Sequence, residues 1–212
     1  MNLQYLLKKE RANMKKIFRL DNPIYQNITK FVDFLYLSVL ILIFSSLIVT
    51  IGPAFSAGYY TYNKIFYTEE DRVFHTFWHS FKENLSDTLG VSIVTVLVLA
   101  ILYLNYQFCE KGLLFFPNFK FFFLILGILL ATYFLYYLCL AARFENTVKE
   151  RLIVTLSSAV LNLPTTLILM VILIIAYFLA TIVPITFLLL PGLLVATSHR
   201  FCEMVFKFYA RG

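Results

Sequence analysis

Apolar positions in this chain run together for stretches of about twenty residues, set apart by short polar segments and without period-two alternation. Wound as helix, such a run crosses a bilayer core of about 30 Å. No water reaches that core, so backbone groups stay paired only in helices or closed barrels. A barrel would show short alternating strands, and the pattern has none. It predicts an all-α polytopic transmembrane bundle. Strong spans are expected over Phe31–Ile51, Thr88–Phe108, Phe119–Ala142, Leu163–Ile182 and Pro184–Phe206. The first should stop at Gly52-Pro53, and Pro184 and Pro191-Gly192 should interrupt the apolar tail.

Ala54–Tyr67 is shorter and more polar, and it decides between six crossings and five. Six place the N-terminus, Tyr67–Asp87, Arg143–Asn162 and the C-terminus on one side. These hold most of the basic residues, whereas Lys111 and Lys120 fall opposite. Basic residues collect on the cytoplasmic side, so the pattern favours six spans with both termini inside. Ala54–Tyr67 then crosses, or lies as a helix lined by protein.

Two polar stretches carry helical periodicity of their own. In Arg72–Leu85, Phe74, Phe77, Trp78, Phe81 and Leu85 share one stripe, with His75, His79 and Glu83 on its flank. This describes an amphipathic helix along the membrane surface. Met1–Lys30 interleaves seven of the 18 basic residues with Leu and Phe and reads as a second such segment, ahead of one helical domain over 31–212. The long charged stretch and full-length apolar run argue against a cleaved signal.

Composition agrees. Of 212 residues 60% are hydrophobic and 14% charged, against about 25% charged in a soluble domain. The net charge of +6 sits mostly beside the first span, which points to anionic lipid and topology rather than nucleic acid. Cys109, Cys139 and Cys202 have no metal-ligand spacing and read as small apolar residues.

Candidate chemistry is sparse. His75, His79 and Glu83 at steps of four are the spacing of a metal site, but the adjacent His-Glu of a zincin is missing, and a solvated face is the plainer reading. Asp33 lies a turn from Lys30, within reach of the interface. Glu203 is expected to pair with Arg200 and His199 to sit at a wet helix end. Ala54-x3-Gly58 has the spacing that lets helices approach closely. With Pro53, Tyr59, Tyr60 and Asn63 it forms a candidate polar seam. The chain carries no Walker, Ser-His-Asp, dinucleotide or paired-carboxylate motif, so neither catalytic residues nor a cofactor are expected. A faint repeat aligns Asn84–Leu89 with Asn162–Leu167 at an offset of 78, and Tyr59 with Tyr137.

Ile51-Gly-Pro-Ala54, Asp71-Arg72-x-Phe74 and Phe77-x3-Phe81-Lys-x-Asn84 resemble the YesL-like family of bacterial membrane proteins, a domain of unknown function. The resemblance runs from about Asn22 onward and gives no catalytic residues to carry over. It implies encoding beside carbohydrate ABC importers and glycan-degrading enzymes in Gram-positive bacteria. Importer permeases dock their ATPase through a loop with Glu-Ala-Ala, a later Gly and a closing Leu-Pro. Glu150–Pro164 ends in Asn-Leu-Pro but lacks the Ala-Ala and the Gly, so the chain is not expected to be the permease itself. The expectation is a non-enzymatic accessory subunit of a sugar importer, multi-pass in the cell membrane. It would meet permease or ATPase subunits through Arg72, Phe77, Trp78, Phe81, Lys82 and Asn84, and through Glu150, Arg151, Asn162 and Pro164. The alternatives are a transporter or channel with Ala54–Tyr67 lining its path, and a metal-dependent membrane enzyme using the two histidines.

Overall fold

A computed structural model describes residues 23–68, 72–111, 119–144, 147–182 and 186–209. Within them lie seven α-helices and one 3-10 turn, with no strand among the described residues: α1 Pro23–Ser45, the turn Ile48–Thr50, α2 Ile51–Tyr67, α3 Val73–Glu110, α4 Phe119–Ala141, α5 Val148–Leu161, α6 Leu163–Ile182 and α7 Thr186–Tyr209. The chain is an α-helical membrane protein. Four helices are long and apolar enough to cross a bilayer: α1 over Gln26–Ser45, α3, α4 and α6. Most of the basic segment Met1–Lys30, and Pro184, lie outside the described residues.

The first span ends seven residues before Gly52. Ser46 donates its hydroxyl to the Ile43 carbonyl at 2.7 Å, and Thr50 donates to Leu47 at 2.8 Å and also to Phe44. These hydroxyls take up carbonyls that a helix end leaves without partners. Gly52 and Pro53 fall instead in the first turn of α2, where proline's missing N–H costs no hydrogen bond.

α2 lies against α1, α3, α4 and α7 and buries nine of its 17 residues. Small side chains make this possible. A Cβ on Gly58 would stand 2.6 Å from Ile41 Cδ1 and 3.4 Å from Val195 Cγ2. Around α2 the core gathers Leu37, Ile41, Phe77, Phe81, Tyr136, Tyr137, Leu138 and Val195. This polar helix is therefore sheathed by protein, which explains how it tolerates Tyr59, Thr61 and Asn63.

α3 corrects the expectation of a separate surface helix over Arg72–Leu85. Its 38 residues form one helix, about 57 Å long at about 1.5 Å per residue. The aromatic stripe begins that helix and turns inward: Phe77 and Phe81 are buried, their rings 5.4 and 5.0 Å from Phe44 of α1. Phe74 and Trp78 stay on the outer side of the stripe, partly exposed.

The offset-78 repeat acquires a physical basis. Asn84 Nδ2 donates to the Ser80 carbonyl at 2.9 Å and Thr88 Oγ1 to the Asn84 carbonyl at 2.6 Å. In the second copy Asn162 Nδ2 donates to Ser158 at 3.2 Å and Thr166 Oγ1 to Asn162 at 3.2 Å. The first copy runs straight through α3; the second straddles the break between α5 and α6. Pro164 stands where the first copy has Ser86, and a proline there cannot continue the ladder. Thr166 also reaches the Ala159 carbonyl at 2.8 Å, across the break.

α7 continues through Pro191 without stopping. Gly192 N–H donates to Ser38 Oγ at 3.0 Å, and that hydroxyl donates to the Leu188 carbonyl at 2.8 Å. A side chain of α1 thus sits across a rung of α7.

Candidate functional site

Where α2, α3 and α7 meet the α4–α5 connection, the fold forms a half-open cleft of two adjoining lobes. The larger, about 640 Å³, is lined by Tyr60, His79, Ser80, Glu83, Asn84, Asp87, Ala141, Ala142, Arg143, Phe144, Thr147 and Arg151. The smaller, about 140 Å³, is lined by Tyr59, Tyr60, Asn63, Cys139, Ala142, Arg143, His199 and Glu203. Tyr60, Ala142 and Arg143 belong to both.

Two ion pairs and one histidine–carboxylate contact line the cleft. Arg151 of α5 places Nη2 3.3 Å from Asp87 Oδ2 of α3. Arg143, just past α4, pairs with Glu203 of α7, and His79 Nδ1 lies 3.1 Å from Glu83 Oε2. Arg151 is 5% exposed, and its Nε and Nη1 have no hydrogen-bond partner. The Thr155 hydroxyl caps the Arg151 carbonyl, and Tyr137 donates to the Asp87 carbonyl at 3.2 Å. The α5 register that aims Arg151 inward is set by a capping box: Thr147 N–H meets Glu150 Oε2 at 3.1 Å, and Glu150 N–H meets Thr147 Oγ1 at 3.4 Å.

Two expectations for α7 are overturned. Glu203 bonds across to Arg143 instead of to Arg200, which is exposed. His199 is 4% exposed, held between the rings of Tyr62 and Tyr67 at centroid distances of 5.4 and 5.6 Å. Its Nε2 lies 3.9 Å from Glu203 Oε1, and its Nδ1 has no partner. Both groups belong to contacts between helices far apart in sequence.

Of the candidate seam, Tyr59, Tyr60 and Asn63 reach the smaller lobe, with Tyr59 OH 2.5 Å from Ser198 Oγ. Pro53 and Gly58 are buried packing positions away from it. Of the candidate docking residues, Asn84 and Arg151 meet at the larger lobe, while Phe77, Phe81 and Arg151 are buried and offer no outer surface. Arg72 and Lys82 are exposed, Lys82 Nζ lying 4.9 Å from the Trp78 ring centre. Glu150 is the capping residue, Asn162 closes α5, and Pro164 is exposed in the first turn of α6.

The rings of His75 and His79 lie 6.5 Å apart and both are exposed, His79 at the rim of the larger lobe. Among the described residues no three His, Cys, Asp or Glu side chains are grouped to hold a metal ion. The three cysteines are free and buried. Sequence reasoning missed Asp87, Arg143 and Thr147 as cleft residues. Their only signal was position, a charge or hydroxyl at each boundary between a polar stretch and a span.

Residues 34–106 match a family model described as "Protein of unknown function, DUF624". The match runs from the middle of α1 to within about a turn of the end of α3. It carries the α2 and α3 side of the cleft and stops short of Arg143, Arg151 and Glu203. No curated protein and no solved structure matches the chain.

Proposed function

We propose that this protein is a non-catalytic accessory subunit in the bacterial cell membrane. Its N-terminus is cytoplasmic, and it works beside a carbohydrate ABC importer by contacting the permease or ATPase. Two things support the reading. The matched family model describes the domain found in YesL-like proteins, and the short motifs around Gly52 and Phe77 resemble that family. The observation that carries docking is the split character of α5. Arg151, Thr155 and Ser158 turn inward and are buried, whereas Ile153, Leu156 and Val160 form an outer stripe 66%, 58% and 60% exposed. α5 follows α4 in the connection that positive-inside counting puts in the cytoplasm, where an ATPase would sit. Affinity purification of the tagged chain at native expression in mild detergent tests this. Permease or ATPase subunits should co-elute, and recovery of the chain alone refutes it.

One observation favours a second reading, a stand-alone carrier of small molecules. The cleft is large enough for a solute and is lined at one side by Arg151 of α5, a helix set off from α6 at Asn162. Proteoliposomes holding only this chain would then take up solute, and Gly58→Leu, which crowds Ile41, would block uptake.

A further inference from the structure

We propose that α1 and α2 form a re-entrant hairpin. It enters the membrane from the face that carries the cleft, turns at Ser46–Thr50 inside the hydrocarbon, and returns to the same face. The tip is then a lipid-binding surface, and its partner is the acyl chains of the far leaflet. Nothing in this depends on docking.

α3 supplies the depth scale. Between Asp87 and Glu110 it carries no charged residue. That run is about 33 Å long at about 1.5 Å per residue, which matches a hydrocarbon core of about 30 Å. Gly52, in the first turn of α2, packs on Ser92, whose hydroxyl a Cβ at Gly52 would strike. Along α3, Ser92 lies about 8 Å past Asp87 and about 27 Å short of Glu110. α2 therefore begins in the near half of the core. Run straight outward, Ile48–Thr50 would add only about 6 Å at about 2.0 Å per residue, which brings the tip to about mid-core. α1 agrees. Phe44, in its last turn, packs on Phe77 and Phe81, close to the start of α3. After Asp33 the uncharged part of α1 is Phe34–Ser45, about 18 Å of helix. By length and composition α1 could cross, but its register against α3 stops it short.

The turn is built for a dry place. Leu47, Ile48 and Val49 stand outward, 70%, 63% and 46% exposed. The polar groups fold the other way. The Ser46 and Thr50 hydroxyls donate to the Ile43, Phe44 and Leu47 carbonyls. The Ser46 and Thr50 N–H groups bond Ile43 and Leu47 at 3.2 and 2.8 Å. In water, solvent would serve these carbonyls. Irregular backbone survives at depth only where protein covers it or pairs its polar groups, and this turn also rests on α1, α2 and α3. Beyond it the bundle thins. Past Thr95 only Leu102 and Cys109 of α3 are buried, and α4 has no buried residue before Thr132. The far halves of both helices present apolar side chains, Val94, Leu97, Ile101, Phe122 and Ile125 among them. Acyl chains fit such a surface, and water does not.

The experiment uses the full chain in phosphatidylcholine nanodiscs with its one tryptophan moved to the tip, Ile48→Trp in a Trp78→Phe background. Fluorescence is recorded with acrylamide, with lipid brominated near the headgroup, and with lipid brominated near the acyl-chain end. The expected result is blue-shifted emission, little loss to acrylamide, and a larger loss to the deep bromines than to the shallow ones. Lys111→Trp in the same background, at the far end of α3, should show the opposite order of the two bromines and quenching by acrylamide. Leu47→Trp reads the same depth from the adjacent position if the first variant fails to fold. A tip tryptophan that behaves like the one at position 111, quenched by acrylamide or most by the shallow bromines, would overturn the proposal, because the hairpin would then emerge at the far face.

Discussion

Replacing Ser38 with alanine tests the most unusual contact in the bundle. The Ser38 hydroxyl accepts from Gly192 N–H at 3.0 Å and donates to the Leu188 carbonyl at 2.8 Å. Proline at 191 removes one N–H from the ladder, and the Ser38 hydroxyl stands between the donor and acceptor of the neighbouring Leu188–Gly192 rung. Alanine removes it and leaves two buried backbone groups short of a partner, each worth about 1–3 kcal/mol. Two effects reduce that sum. Gly192 and Leu188 regain part of their mutual bond if the rung closes, and side-chain hydrogen bonds between membrane helices average only about 0.6 kcal/mol. The expected loss is therefore about 1–3 kcal/mol, read from reversible unfolding by sodium dodecyl sulfate in mixed micelles. A double-mutant cycle supplies the sharper test. In a Pro191→Ala background the ladder closes by itself, so Ser38→Ala should cost at least about 1 kcal/mol less there. Equal cost in the two backgrounds would refute the coupling of serine to proline. So would a loss below about 0.5 kcal/mol in the wild type, which is the scatter of neutral substitutions.

Three further outcomes follow from the packing. Gly58→Ala drives a methyl toward the tip of Ile41, a flexible end, and should cost about 1–2 kcal/mol; Ile41→Val should restore most of it in the same unfolding assay. Asp87→Ala strands the buried Arg151 guanidinium, whereas Arg151→Met leaves a half-exposed Asp87 that water can solvate. The aspartate variant should thus lose more stability by about 1–3 kcal/mol, and the double variant should recover part of it; the reverse order would contradict the burial of Arg151. Trp78 is the single tryptophan, 5.6 Å from the Phe44 ring. Phe44→Ala should therefore red-shift its emission and raise acrylamide quenching, and unchanged emission would place α1 away from the start of α3.

The sequence was most legible where a single helix decides its own fate. Phe119–Ala142 was expected as a span and is helix to Ala141; Leu163–Ile182 was expected and observed at the same bounds. It was least legible where two helices decide together. Gly52-Pro53 reads as a stop, yet Ser46 and Thr50 had already ended α1 and left Pro53 in a first turn that tolerates it. The Phe77–Phe81 stripe has the periodicity of a surface helix, and nothing local says that Phe44 will cover it. Arg200 lies one turn from Glu203, but Arg143, sixty positions away, takes the carboxylate. The cleft shares that origin: Asn84 and Arg151 stand on separate segments of the sequence, and only the tertiary fold brings both to the larger lobe.

The docking role has its most direct test at Leu156, in the middle of the outer stripe of α5. A photo-crosslinking amino acid placed there and activated in living cells should yield adducts with the permease or ATPase of a carbohydrate importer. The same label at Val98, exposed in the apolar part of α3, should not. Adducts to lipid alone at position 156, or none, would contradict an accessory role exercised through α5.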